Sequence, residues 1–217
     1  MHHLAQIGKT LYVAACRDKT WRASSAMGES LAIARGISIA AHPFVVALVL
    51  VGINAAKVHG LGTAARLVAL TAVILVVPLW LFVWRKWRSG QWETVDASTP
   101  NNRPALYALA LLLMAVLTAT LGLLRGWDPI LRGCTAVAGM LAAGAILNRW
   151  IKLSLHVAFV TFAAVVLLRL DWRFGAPCAF VVPLLAWSRL KLARHTWPEV
   201  LGGACLGLAA GALLIAW

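Results

Sequence analysis

The sequence predicts an all-α protein, a polytopic bundle of six to seven transmembrane helices. Three observations carry this. The chain is 62% hydrophobic and only 12% charged, whereas soluble domains are closer to half apolar and a quarter charged. Several apolar runs approach or reach the ~20 residues needed to cross a bilayer. No long soluble stretch interrupts them. The formal net charge of +13 would suggest nucleic acid in a soluble protein. Here Lys and Arg fall between apolar runs, where topology and anionic headgroups favour them, so no nucleic-acid partner is expected.

Residues 1–36 are mixed and basic, with Lys9, Arg17, Lys19, Arg22 and Arg35. Their apolar residues recur at loose helical spacing, as in an interfacial amphipathic helix. They lack the apolar core of a signal peptide. Residues 37–217 read as one membrane domain. Its first span is expected over 37–56, with Pro43 in the first turns, where a missing N–H costs least. His42 beside it reads as a ligand, a proton relay or, favoured here, a solvated interfacial side chain. The second span, 67–84, closes on Trp80, Trp84, Arg85, Lys86, Trp87 and Arg88, the pattern of an interface anchor.

A polar loop over 89–103 holds Gly90, Pro100 and Arg103, and its Gly and Pro argue against a regular helix. Spans follow over 105–124 and 130–147. The polar stretch from Asn148 through Lys152 and Ser154 to His156 leads into a fifth span ending near 170. Asp171, Trp172 and Arg173 form a turn, and a short sixth span over 174–187 carries Pro177 and Pro183. Next comes the densest polar island, Ser188-Arg189 to His195 and Glu199, before a last span over 200–217. Gly203, Gly207 and Gly211 make a ridge on that span, read first as intramolecular packing and second as a dimer face. The four cysteines show no metal spacing, and Cys134, Cys178 and Cys205 lie in apolar runs as small hydrophobes.

If all seven spans cross, the islands around Arg103, His156 and His195 share one side with the N-terminus. That side holds fourteen of the twenty Lys and Arg residues, which places it in the cytoplasm. Ionisable residues at membrane depth are costly and functional by default. Guanidinium groups and a hydroxyl suit a phosphate oxyanion, because Arg presents a planar donor fork. A His held by a carboxylate keeps one ring nitrogen available for attack, and a second His can protonate a leaving oxygen. His195 and Glu199, four apart, would share a face in a helical turn, although Pro198 interrupts a continuous helix. No His-Glu-x-x-His pattern or glycine-rich phosphate loop occurs, so neither a metal nor another cofactor is expected.

Ser188-Arg189, five residues, His195, three residues and Glu199 resemble the third signature of the type-2 phosphatidic-acid phosphatase superfamily, which includes the vanadium haloperoxidases. The family's usual final Asp is Glu199 here. Ser154 and His156 keep two members of its Pro-Ser-Gly-His signature, with Leu153 and Leu155 replacing Pro and Gly. Arg103-Pro104 match the end of the first signature, whose Lys position holds Asp96. The resemblance covers roughly residues 96–217. It implies that His195 is a nucleophile forming phosphohistidine, that Glu199 orients it, and that His156 is the acid for the leaving group. Arg103, Arg189 and Ser154 would hold the phosphate, with backbone N–H groups near Leu155 and His156. Lys152 is the candidate for the missing cation.

The expected activity is a metal-independent phosphatase acting on a membrane lipid phosphate or isoprenyl (di)phosphate, in a bacterial-type inner (plasma) membrane. The alternatives are a lipid phosphotransferase of the same fold and a catalytically inactive scaffold or lipid-binding protein. The sequence leaves the oligomeric state open.

Overall fold

A computed structural model describes residues 28–92, 103–125 and 129–217. The segment 1–27 and Asp96 lie outside the described residues. All regular structure among the described residues is helical. Helix α1 spans Gly28–Ala40, α2 Pro43–His59 and α3 Leu61–Arg88. Then come α4 Arg103–Arg125, α5 Pro129–Leu147, α6 Leu155–Leu170, α7 Trp172–Lys191 and α8 Trp197–Ala216.

Four of these (α3, α4 to Leu124, α5 and α8) are long and apolar enough to cross a membrane, and α1 with α2 makes a fifth if the bent pair counts as one span. Large apolar side chains such as Leu61, Leu123 and Leu213 face outward. Both features fit a membrane protein. Against the six to seven spans expected, four or five helices among the described residues are long and apolar enough, and the runs differ in detail: α3 extends beyond the expected 67–84 at both ends. The expected span 37–56 is not one rod. It breaks at Ala41 and His42, and α1 and α2 meet at 46°. Pro43 imposes this, because its ring disfavours a helical residue before it; His42 is extended, with φ −63° and ψ 140°, and caps α2. Helix α1 also runs across the 36/37 boundary. The expected sixth span is longer than 174–187: α7 has 20 residues and continues through Pro177 and Pro183, at the cost of two intrahelical hydrogen bonds.

Helix α3 accommodates Pro78 in another way. The five residues Ala72–Val76 form a π-helical turn, and the Val77 N–H reaches Ala72 O. Pro78 cannot donate to Ile74, and the wider turn relieves the clash of its ring with that carbonyl.

Helix α6 is the centre. It packs along α7, α8 and α2, and Val157, Ala158, Val160, Phe162 and Ala163 are all buried. The α8 glycine ridge lies against it. A Cβ on Gly203 would sit 2.5 Å from Ser154 O, and one on Gly207 2.2 Å from Ala158 O. The ridge is therefore an intramolecular seam: no side chain fits between the two backbones. At one end of the bundle, Lys57 Nζ at the end of α2 pairs with Asp171 Oδ2 at 2.7 Å. Asp171 also caps α7 by accepting the Arg173 N–H at 3.0 Å. Its pKa is lowered, first by the Lys57 hydrogen bond and then by the Arg173 N–H. All the predicted site residues lie at the other end.

Candidate functional site

Four chain segments converge at that end. The N-terminus of α4 supplies Arg103, whose Nη1 donates to Leu153 O at 2.9 Å and Asn148 Oδ1 at 3.3 Å. This ties α4 to the strand-like link before α6. The end of α7 supplies Ser188 and Arg189. Ser188 Oγ donates to Ala34 O at 2.6 Å, and Arg189 Nη1 to Ser38 Oγ at 2.8 Å. Both anchor α1. Arg189 is 2% exposed, so its charge is held almost wholly out of water.

His195 lies in the link between α7 and α8. Its Nδ1 is 2.8 Å from Glu199 Oε2. The same oxygen accepts the Thr196 N–H at 3.2 Å. Glu199 therefore does not share a helical face with His195, as its spacing suggested. Helix α8 starts at Trp197 with Pro198 in its first turn, and Glu199 is the third residue of the new helix, reaching back to its N-cap. One carboxylate thus caps α8 and holds the histidine. The loop geometry that allows this includes Ala193 at φ 52°.

The His195 pKa is held down to about 3, by burial first and then by Arg189, Arg103 and Lys152; an interaction with the Lys152 carbonyl opposes them. The ring is neutral despite its carboxylate. With the Nδ1 proton directed to Glu199, the lone pair is on Nε2. Lys152, in the link before α6, has a lowered pKa. Burial is the first cause, opposed by Glu199 and aided by Arg103, Arg189 and Arg194.

Ser154 is the N-cap of α6, and its own N–H donates to Glu199 O at 3.0 Å. Leu155 is the first residue of the helix. The N–H groups of Leu155, His156 and Val157 belong to a first turn with no intrahelical acceptors, a favourable place for an anion. Ser154 Oγ and His156 Nε2 are buried without a hydrogen-bond partner.

A cavity of about 1130 Å³ opens at this cluster. Arg103, His156, Arg189 and His195 line it; Ser154, Lys152 and Glu199 stand outside its lining. Its walls then turn apolar, with Leu50 and Val51 from α2, Leu79 from α3, Met114 and Leu117 from α4, and Phe159 and Phe162 from α6. Fourteen residues of α4 separate Arg103 from Leu117, about 21 Å at ~1.5 Å per residue. That exceeds one leaflet, half of the ~30 Å hydrocarbon core.

All seven residues singled out in the sequence thus gather at one end. Two neighbours belong with them: Ser38, which the sequence does not single out, and His42, which it reads as a solvated interfacial side chain. Ser38 holds Arg189, and His42 lines the cavity with its ring centroid 4.9 Å from that of His156. The signal was there: two polar residues four apart, at the edge of an apolar run, just before a Pro. Among the described residues, no three His, Cys, Asp or Glu side chains are grouped to hold a metal ion. No family model, curated protein or solved structure matches the chain.

Proposed function

We propose that the chain is an integral membrane phosphatase of the type-2 phosphatidic-acid phosphatase kind, removing phosphate from a lipid phosphate or isoprenyl (di)phosphate. One observation carries the reading: a carboxylate-held, neutral His195 shares the cation-rich head of a deep apolar cavity with His156, Arg103 and Arg189. A phosphate suits the head and a hydrocarbon chain suits the walls. In this reading six to seven of the apolar segments cross the bilayer.

His195 Nε2 attacks phosphorus, and the P–O bond to the lipid breaks as His156 protonates the leaving oxygen. Glu199 holds the Nδ1 proton and stabilises the developing positive charge on the ring. Arg103 and Arg189 stabilise the charge on the equatorial oxygens. Water then attacks the phosphohistidine and gives its proton to His156, which restores the acid, and inorganic phosphate leaves. The test is phosphate release by detergent-purified protein in excess EDTA, from phosphatidic acid, a polyprenyl monophosphate and a polyprenyl diphosphate. Release from none of them by the wild type removes the reading.

Glu199→Gln and Glu199→Ala separate the two duties of the carboxylate. The Gln carbonyl can still accept the Thr196 N–H, so the Gln variant keeps its thermal stability. The same carbonyl can also accept the His195 Nδ1 proton, so what is lost is the negative charge that stabilises the developing imidazolium, and turnover drops on the order of 10²- to 10³-fold. The Ala variant also loses about 1 kcal/mol of helix capping. Wild-type turnover in the Gln variant would show that the carboxylate only caps.

The neutral His195 ring is the reactive form. It is lost only as pH falls through its folded-state value of about 3, not through the ~6.5 of a solvated imidazole. The acid limb of kcat/KM for the free enzyme therefore lies well below pH 6. Lys152→Ala raises that limb, because one of the cations that depress His195 is gone, and weakens inorganic phosphate roughly two- to fivefold. An unchanged limb and unchanged affinity would remove Lys152 from the site.

The cation count supports a cytoplasm-facing site in an inner (plasma) membrane. Orientation is read with a membrane-impermeant thiol label at Ser89→Cys. Ser89 is exposed, whereas Trp92 nearby is buried against Phe82.

A further inference from the structure

We propose that His42 is a positioning residue for His156, setting the ring that protonates the leaving oxygen; this rests on the phosphatase reading above. His42 sits at the bend between α1 and α2. Pro43 fixes its backbone in the extended form, and its Nδ1 accepts the Phe44 N–H at 3.2 Å. That acceptor role assigns the proton of the neutral ring to Nε2. Protonation of Nδ1 would break the cap and place a positive charge at the positive end of α2. His42 is thus a ring of fixed tautomer and fixed orientation, unsuited to passing protons from one nitrogen to the other.

The ring it meets is His156. The two planes stand at 88°, edge to face, with centroids 4.9 Å apart, and Phe44 closes on His42 from another side at 4.6 Å and 65°. Both histidines line the cavity. His156 Nε2 is buried without a hydrogen-bond partner, so no carboxylate or carbonyl sets its orientation from that nitrogen. The adjacent ring does so by packing. His195, by contrast, has Glu199. The charged groups that line the same cavity are Arg35 from α1, Arg103 from α4, Arg189 and Lys191 from α7, and Arg194 from the link before α8, with neutral His195 beside them; Lys152 and Glu199 stand outside the lining. Only Glu199 is an acid, and it is engaged with His195.

Helix capping and ring packing are separated by two substitutions. Asn at position 42 can accept the Phe44 N–H as well as His does, but leaves the edge of His156 unsupported. Phe at 42 restores a ring and gives up the cap. Turnover on the preferred lipid, thermal stability, and the ring ¹⁵N shifts of His156 are measured for wild type, His42→Asn and His42→Phe, with His156→Ala to assign the signals. The expected result for His42→Asn is unchanged stability, KM within about twofold, kcat down about ten- to a hundredfold, and displaced His156 shifts. His42→Phe recovers part of kcat while losing stability. Wild-type kcat and undisturbed His156 shifts in His42→Asn would overturn the proposal and leave His42 a cap alone. If the wild-type protein releases no phosphate, the phosphatase reading falls by itself. The His156 shifts then decide whether the two rings are coupled: displacement upholds the coupling, and its absence ends it.

Discussion

Replacing His195 with alanine abolishes phosphate release, by on the order of 10⁴-fold or more, while the protein still folds and still binds inorganic phosphate. The magnitude follows from removing a nucleophile whose partners cannot act without it. The retained binding follows from geometry: Arg103 is held by Leu153 O and Asn148, and Arg189 by Ser38, with no anchor on His195. A brief reaction with ³²P-labelled lipid traps an acid-labile, alkali-stable phosphoprotein in the wild type and none in His195→Ala. Equal labelling of both proteins would place the covalent step elsewhere. Equal turnover would remove His195 from the chemistry and turn attention to the scaffold alternative.

Gly207→Val carries the largest expected loss of stability. Its Cβ would stand 2.2 Å from Ala158 O and 3.0 Å from Thr161 Cβ, so α6 and α8 must part. Overpacking of this kind costs roughly 2–4 kcal/mol. The damage is not confined to stability, because Ser154 N–H and Glu199 O join the same two helices at their N-termini. Spreading the seam displaces His195 relative to His156, and turnover falls in whatever protein remains folded. Gly139→Ala is the control. Nothing lies within 4 Å of a Cβ there, and helix propensity favours Ala by about 1 kcal/mol. Thermal unfolding in detergent compares the two. A Gly207→Val protein as stable as Gly139→Ala would mean that the two backbones are not in close contact.

Much of the helical framework was legible because apolar runs in lipid-sized lengths leave few alternatives. The polar islands were legible because a charge between two such runs is costly, and Arg103, His156 and Arg189 stand out against their neighbours. The bend at Ala41 and His42 was not, since apolar residues continue straight across it and only Pro43 marks it. The role of Glu199 was half visible. Its spacing from His195 announced a pair, but the pair forms across a helix start, where a cap and not a shared face brings the groups together. The π turn in α3 answers Pro78, and periodicity alone says nothing of how a helix absorbs a proline. His42 was noticed and set aside, because a lone interfacial histidine has no sequence partner. Its neighbour lies more than a hundred residues away, and only the fold joins them.

The glycine seam has a further consequence for how the molecule divides its labour. Helices α7 and α8 each pack along α6, and these three with the link between α7 and α8 carry His156, Arg189, His195 and Glu199. The opposite cavity wall, from α2, α3, α4 and α5, is joined to that block through α2 on α6 and α5 on α8. In the proposed phosphatase the packed α6–α8 block would keep the reacting groups in register, and the apolar side chains of the facing wall would meet the lipid chain. That wall also carries Arg103 and, at the cap of α2, His42, so in the proposed phosphatase the apolar side and the reacting side meet at the head of the cavity.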